Sequence, residues 1–196
     1  MRKKCLFIAI VVSLLLVGCN NIEDSSANEN IEPEIFYPSR PTYTIKQLVE
    51  EADIIANLTV TELVDVIEVE HHELFTQEHS IYKATVNYYL HNELGNDNEI
   101  EVLQVGGPNW RYSDDPLLEV GKTYILFLDA REDPNLGTNL VMTGGPQGRY
   151  NQDGDLFVRQ LSISPDKGVS RVTEEELIEA LNKRNDELNI DLSILD

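Results

Sequence analysis

The chain is nearly without cysteine: of its 196 residues only Cys5 and Cys19 carry a thiol, both close to the N-terminus. No disulfide can join distant parts of the body of the protein, and beyond residue 19 no thiol is available as a nucleophile or soft metal ligand. Cations are scarce as well. Fifteen Lys and Arg face thirty-five Asp and Glu, a formal charge of −20. Such a surface repels nucleic acid and anionic lipid headgroups. No apolar run reaches the roughly twenty residues that cross a bilayer as a helix. There is one tryptophan, Trp110. Catalytic signatures are missing too. No G-x-S-x-G occurs, and Gly144 to Gly148 lacks the Lys and Ser/Thr of a phosphate loop. Neither an internal repeat nor a second composition regime divides the chain, which predicts one domain.

What is present begins with address. Arg2, Lys3 and Lys4 precede the apolar stretch Leu6–Val17, which only Ser13 interrupts. That has the charge and length of a signal-peptide core. It closes on Leu16, Val17, Gly18 and Cys19. This stretch resembles the lipobox of bacterial lipoproteins. The resemblance implies diacylglycerol on the Cys19 thiol, cleavage after Gly18, and fatty acyl chains in the outer leaflet of a cell membrane. An uncleaved apolar anchor with an incidental cysteine is the other reading. Residues 1–18 are therefore expected to be a lipoprotein signal peptide. Its loss removes three cations and takes the formal charge from −20 to −23. The lipid, rather than charge, would then hold the protein on the extracytoplasmic face. The composition leans to Asn and Ile and suggests a Gram-positive envelope.

Residues 19–41 are rich in Asn, Glu, Ser and Pro and read as a tether, reaching on the order of 25 Å, with Ile35, Phe36 and Tyr37 able to dock. Residues 42–196 read as a single β-barrel domain with a C-terminal helix. Ile45, Leu48, Val49 and Ala52 make one helical stripe, with Thr44 and Gln47 at capping-box spacing. From Ile54 the period becomes two, with a bulge or bend expected before Val69. Glu70–Ser80 reads as a loop or hairpin end. Ile81–Leu90 is a strand with Tyr82, Ala84, Val86, Tyr88 and Leu90 on one face, and Glu99–Val105 returns beside it. Tyr124–Leu128 is continuously apolar, as a strand covered on both faces must be. Asp129–Thr138 reads as a loop, and Asp153-Gly154 as a tight turn before Leu156–Ile163. Thr173–Leu188 is a second helix, capped by Thr173 and Glu176, with Leu177, Ala180, Leu181 and Leu188 inward. The expected fold is mainly β: a small curved antiparallel, OB-like barrel of five to seven strands between two short helices.

The order Ala52-Asp53-Ile54-Ile55 into a strand, Tyr82–Leu90, a glycine turn, Glu99–Val105, then Val120-Gly121-Lys122 into Thr123–Leu128 resembles the netrin and tissue-metalloproteinase-inhibitor superfamily over roughly residues 44–160. The resemblance implies that family's OB-like barrel. The family's disulfides are absent here, and its zinc-chelating N-terminal cysteine has no equivalent, since Cys19 would be acylated and lies far from the barrel. Inhibition is not implied.

Three places invite chemistry. Trp110, Arg111 and Tyr112 follow two glycines and a proline, and Gln147 and Arg149 follow a second such loop. Aromatic and Arg side chains dominate interface energetics. If the two loops open at one barrel end, these five residues form a ligand- or partner-binding patch, for an unknown protein or envelope ligand. In the competing reading Trp110 and Tyr112 plug the barrel. The second place is the run His71, His72, Glu73, Glu78 and His79; its candidate metal ligands are His71, Glu73 and His79. His72-Glu73 is followed by Thr76, where H-E-x-x-H needs histidine, so no metal site is assigned. The third, Asn151, Asp153 and Asp155 around Gly154, lacks the closing Glu of an EF-hand. The expectation is a lipid-anchored extracytoplasmic module that binds and does not catalyse, with no cofactor. The alternative is a metal-binding lipoprotein or metal-dependent hydrolase using His71–His79.

Overall fold

A computed structural model of the protein describes residues 32–72, 75–160, 171–179 and 181–183, without the side chains of residues 71, 72 and 75. The leader, Cys19, Glu73, Ala180 and Leu188 lie outside the described residues. Those described belong to one compact unit that begins at Glu32.

The apolar run at Tyr124–Leu128 does what its composition requires. It forms the middle of a strand, Thr123–Asp133, with two cores on its two faces. Tyr124, Leu126 and Leu128 point to an inner cluster with Ile54, Leu58, Val86 and Val102. Ile125 and Phe127 point to an outer one with Leu48, Tyr150, Phe157 and Leu177.

In chain order the strands are β1 (Glu34–Phe36), β2 (Ile54–His72), β3 (Phe75–Asn92), β4 (Glu99–Val105), β5 (Trp110–Tyr112), β6 (Thr123–Asp133), β7 (Gly137–Met142), β8 (Arg149–Asp153), β9 (Leu156–Arg159) and β10 (Arg171–Val172). Helix α1 spans Ile45–Glu51, and α2 is described over residues 174–179 and 181–183. Five strands close a ring in the order β6-β2-β3-β4-β7 and back to β6. The fold is thus a small curled, OB-like barrel between two short helices, as expected. Within the ring one pair departs from the antiparallel expectation: β4 and β7 run parallel, Val102 opposite Leu140 and Leu103 opposite Val141. A closed ring of five cannot alternate direction all the way round, so one parallel seam is unavoidable. Strands β8, β9 and β10 continue from β6 outside the ring and, with α1 and α2, cover the outer core.

Both helix starts follow the sequence signal. Gln47 N–H donates to Thr44 Oγ1 at 3.1 Å while Thr44 N–H donates to Gln47 Oε1 at 2.9 Å. Thr173 and Glu176 repeat the reciprocal pair at 2.8 and 3.2 Å.

Three sequence expectations need correction. For Glu70–Ser80 the loop reading fails and the hairpin-end reading stands: β2 and β3 stay paired through Glu68–Glu78 and Glu70–Thr76, so the barrel carries a long two-stranded arm. Its polar residues are held by the ladder, which leaves no burial pattern to read. Asp129–Thr138 is likewise the β6–β7 hairpin, closed by the pair Asp133–Gly137. Finally, register shifts leave Leu90 and Asn87 as extra residues on β3. The bulge at Asn87 flips the alternation, so Tyr89 packs against the inner cluster and Tyr88 faces outward, apart from Tyr82 and Val86. The expected bend in β2 is present, with Thr61 and Val64 as extra residues. Asp153 and Leu156 pair across a two-residue turn in which Gly154 has φ of 65°, the anticipated tight hairpin.

Candidate functional site

The Trp110 segment is built on a buried carboxylate. Glu78, on β3, accepts from Asn109 N–H at 2.8 Å, Asn109 Nδ2 at 2.8 Å and Trp110 N–H at 3.0 Å. The chain passes so close that a Cβ on Gly107 would overlap the Glu78 side chain. Strand β5 then pairs in parallel with β1, placing Phe36 opposite Tyr112. The rings of Phe36 and Tyr112 each lie 5.0 Å from that of Trp110, which is only 4 % exposed. Arg40 stacks over Tyr112 at 4.5 Å and donates Nε to Asp114 Oδ2 at 3.2 Å. Residues 34–41, assigned by sequence to the tether with Ile35, Phe36 and Tyr37 able to dock, are thus held on the barrel.

The second expected loop is packed against the first. Arg149 is 1 % exposed, and its Nη1 donates to Pro116 O at 2.7 Å. Its Nη2 lies 3.6 Å from Asp115 Oδ1. Gln104 ties the same segment down: its Nε2 donates to Asp115 Oδ1 at 2.8 Å, and its Oε1 accepts from Leu118 N–H at 2.9 Å. Burial pushes the Asp115 carboxyl up to about 6, against the downward pull of Arg149, Arg40 and the Gln104 hydrogen bond. Burial also lowers Arg149, which Asp115 offsets in part. Gln147, 2 % exposed, accepts from Tyr43 N–H at 2.8 Å and donates to Pro41 O at 2.8 Å.

The five residues expected to form one binding patch are therefore gathered at one end of the barrel, but not as an open surface. Trp110, Gln147 and Arg149 are buried, while Arg111 and Tyr112 are half-buried. The aromatic cluster and the Arg149–Asp115 pair have the form of a plug. Sequence reasoning missed Glu78 and Asp115 as its anchors; an isolated carboxylate gives no sign that three donors will converge on it.

Beside this plug a cleft of about 270 Å3 opens along the parallel β4–β7 seam. The seam has only two residue pairs, so the strands splay beyond it. The walls are apolar, with Leu103, Val105 and Val141 among them. The charged groups carry both signs, Arg40 and Arg131 against Asp115, Glu132 and Asp133, with the His79 imidazole beside them. Among the described residues that line the cleft there is no Ser, Thr, Cys, Lys or Tyr; its groups able to take part in nucleophilic or acid–base chemistry are His79 and the carboxylates of Asp115, Glu132 and Asp133. His79 is buried at its inner wall; the side chain of His71 and all of Glu73 lie outside the described residues. Among the described residues no group of three His, Cys, Asp or Glu could hold a metal ion. Nor is any described helix long and apolar enough to cross a membrane.

Comparison with known proteins places the chain in no group: no family model matches it, and no curated protein does.

Proposed function

We propose that this chain is an extracytoplasmic lipoprotein, held in a cell membrane by acyl chains on Cys19, whose barrel binds a ligand and catalyses nothing. The cleft at the β4–β7 seam is the binding site. The observation that carries this reading is the lining of that cleft: both charge signs on apolar walls, and its one acid of shifted protonation already engaged by Gln104 and Arg149. A ligand matching it brings an ammonium and a carboxylate on a small apolar body, as a peptide end does. In OB-like barrels the second and third strands of the ring, with the hairpin between the fourth and fifth, form the usual binding face. Here that face is β3, β4 and the β6–β7 hairpin, where the cleft lies. The ring order supports the likeness to the netrin and metalloproteinase-inhibitor superfamily as architecture only.

Isothermal titration of the lipidated protein with short peptides tests the site. Saturable binding, lost when Asn139→Trp fills the cleft, is the expected result. Turnover of a peptide, or binding indifferent to Asn139→Trp, would contradict it.

A further inference from the structure

A second groove lies on the outer wall of β3, β2 and β6, away from the seam. Where Leu58, Val86 and Tyr124 face the inner core, the neighbouring outward positions are Asn57, Thr59, Asn87 and Thr123. These join in one hydrogen-bonded row. The Thr123 and Thr59 hydroxyls are 3.0 Å apart. Asn87 Nδ2 donates to Thr59 Oγ1 at 3.2 Å and to Asn57 Oδ1 at 2.7 Å. Asn57 Nδ2 donates to Tyr88 OH at 2.8 Å, and Tyr88 OH donates to Glu174 Oε2 at 2.5 Å. The β8–β9 turn, with Gln152 and Asp155, makes one bank, and the start of α2, with Glu174 and Glu175, makes the other. The space between is about 640 Å3, inside the ~300–1,000 Å3 span of small-molecule sites.

Docking α2 onto the barrel accounts for the end of the row, from Asn57 through Tyr88 to Glu174. It does not account for Thr59, Asn87 and Thr123, which continue away from the helix. A solvent-facing or helix-covered strand needs no such chain of amides and hydroxyls. Here Asn57 is 6 % exposed and fixed by two bonds, so the row is preorganised.

We infer that this groove binds a neutral carbohydrate. Among the described residues its lining has no Lys, Arg or His and holds three carboxylates, which disfavour anionic ligands. Planar amides and carboxylates offer paired donors and acceptors to sugar hydroxyls. Asn87 Oδ1 accepts no hydrogen bond among the described residues and stands open at the rim. Tyr88, 37 % exposed as a residue, lines the groove and offers an aromatic face on which a pyranose can stack. The inference does not rest on the peptide cleft, which is lined by other residues.

The test titrates the full-length protein in detergent with chitotriose, maltotriose and cellotriose, and with spermidine. At least one trisaccharide binds saturably. Binding weakens about tenfold, the loss of one or two hydrogen bonds, in Asn87→Ala and in Gln152→Ala. Gln152 is exposed, so its variant keeps the wild-type melting temperature. Binding is unchanged in Asn139→Trp, which separates this groove from the cleft. No trisaccharide bound, spermidine bound instead of saccharides, or saccharide binding indifferent to both groove variants would each overturn the inference.

Discussion

Arg149 and Asp115 meet at the mouth of the barrel with Nη2 3.6 Å from Oδ1 and side chains only 2 % and 5 % exposed. They join two loops that are far apart in the chain. The gap is longer than a hydrogen bond, and Arg149 spends its Nη1 on Pro116 O at 2.7 Å while Gln104 takes Asp115 Oδ1. Desolvation therefore outweighs attraction, and the Asp115 carboxyl rises from 3.8 to about 6.

The pH dependence follows. The folded value lies above the unfolded one, so proton binding favours the fold. This contribution is complete below about pH 4 and is lost as pH rises through about 6. Relative to Asp115→Asn, which cannot ionise, the wild type should lose on the order of 3 kcal/mol between pH 4 and pH 7.5. Urea midpoints of both proteins at the two pH values measure it. A wild type that gains on the variant as pH rises would mean that the Arg149 charge dominates.

Trp110 is a structural residue. Trp110→Ala removes a ring packed between Phe36 and Tyr112 and should cost about 3–5 kcal/mol. In the wild type the indole, 4 % exposed, should fluoresce as a buried group. A variant with an unchanged melting temperature would restore the open-patch reading of Trp110, Arg111 and Tyr112.

Gly148 is fixed by space. Its φ is not positive, but an added Cβ would overlap the carbonyl oxygen of Thr143 and sit 3.2 Å from that of Phe127. Backbone cannot rotate away as a side chain can. Gly148→Ala should destabilise by about 1–3 kcal/mol or more, read as a lower urea midpoint. Gly154→Ala is the contrast: nothing lies within 4 Å, and its cost comes from a φ of 65° alone.

The legible parts of the fold are those in which one strong physical signal acts locally. Five consecutive apolar residues at 124–128 could only be a strand covered on both faces, and Thr44 with Gln47 could cap a helix before any tertiary contact formed. The arm was hidden because Glu68, Glu70, Thr76 and Glu78 are held by pairing, which leaves no hydrophobic period. Tyr88 was placed on the wrong face because a bulge at Asn87 is not encoded in alternation. The site was least legible. Arg149 and Gln147 belong to residue types that are usually exposed, and only partners distant in sequence, Asp115 and Tyr43, make their burial tolerable. The parallel pairing of β1 with β5 has the same origin: Phe36 packs on Trp110 and pairs opposite Tyr112, partners distant in the sequence.

The most direct test of the account is the mass of the N-terminal peptide from protein extracted from its native membrane. The account predicts a chain that starts at Cys19, with residues 1–18 removed and the mass of a diacylglyceryl group on the thiol. Cys19→Ala should abolish that mass and leave the protein unprocessed or shed. A wild-type protein recovered with Cys19 unmodified and the leader attached would contradict the lipid anchor, and with it the placement of this barrel at the membrane surface.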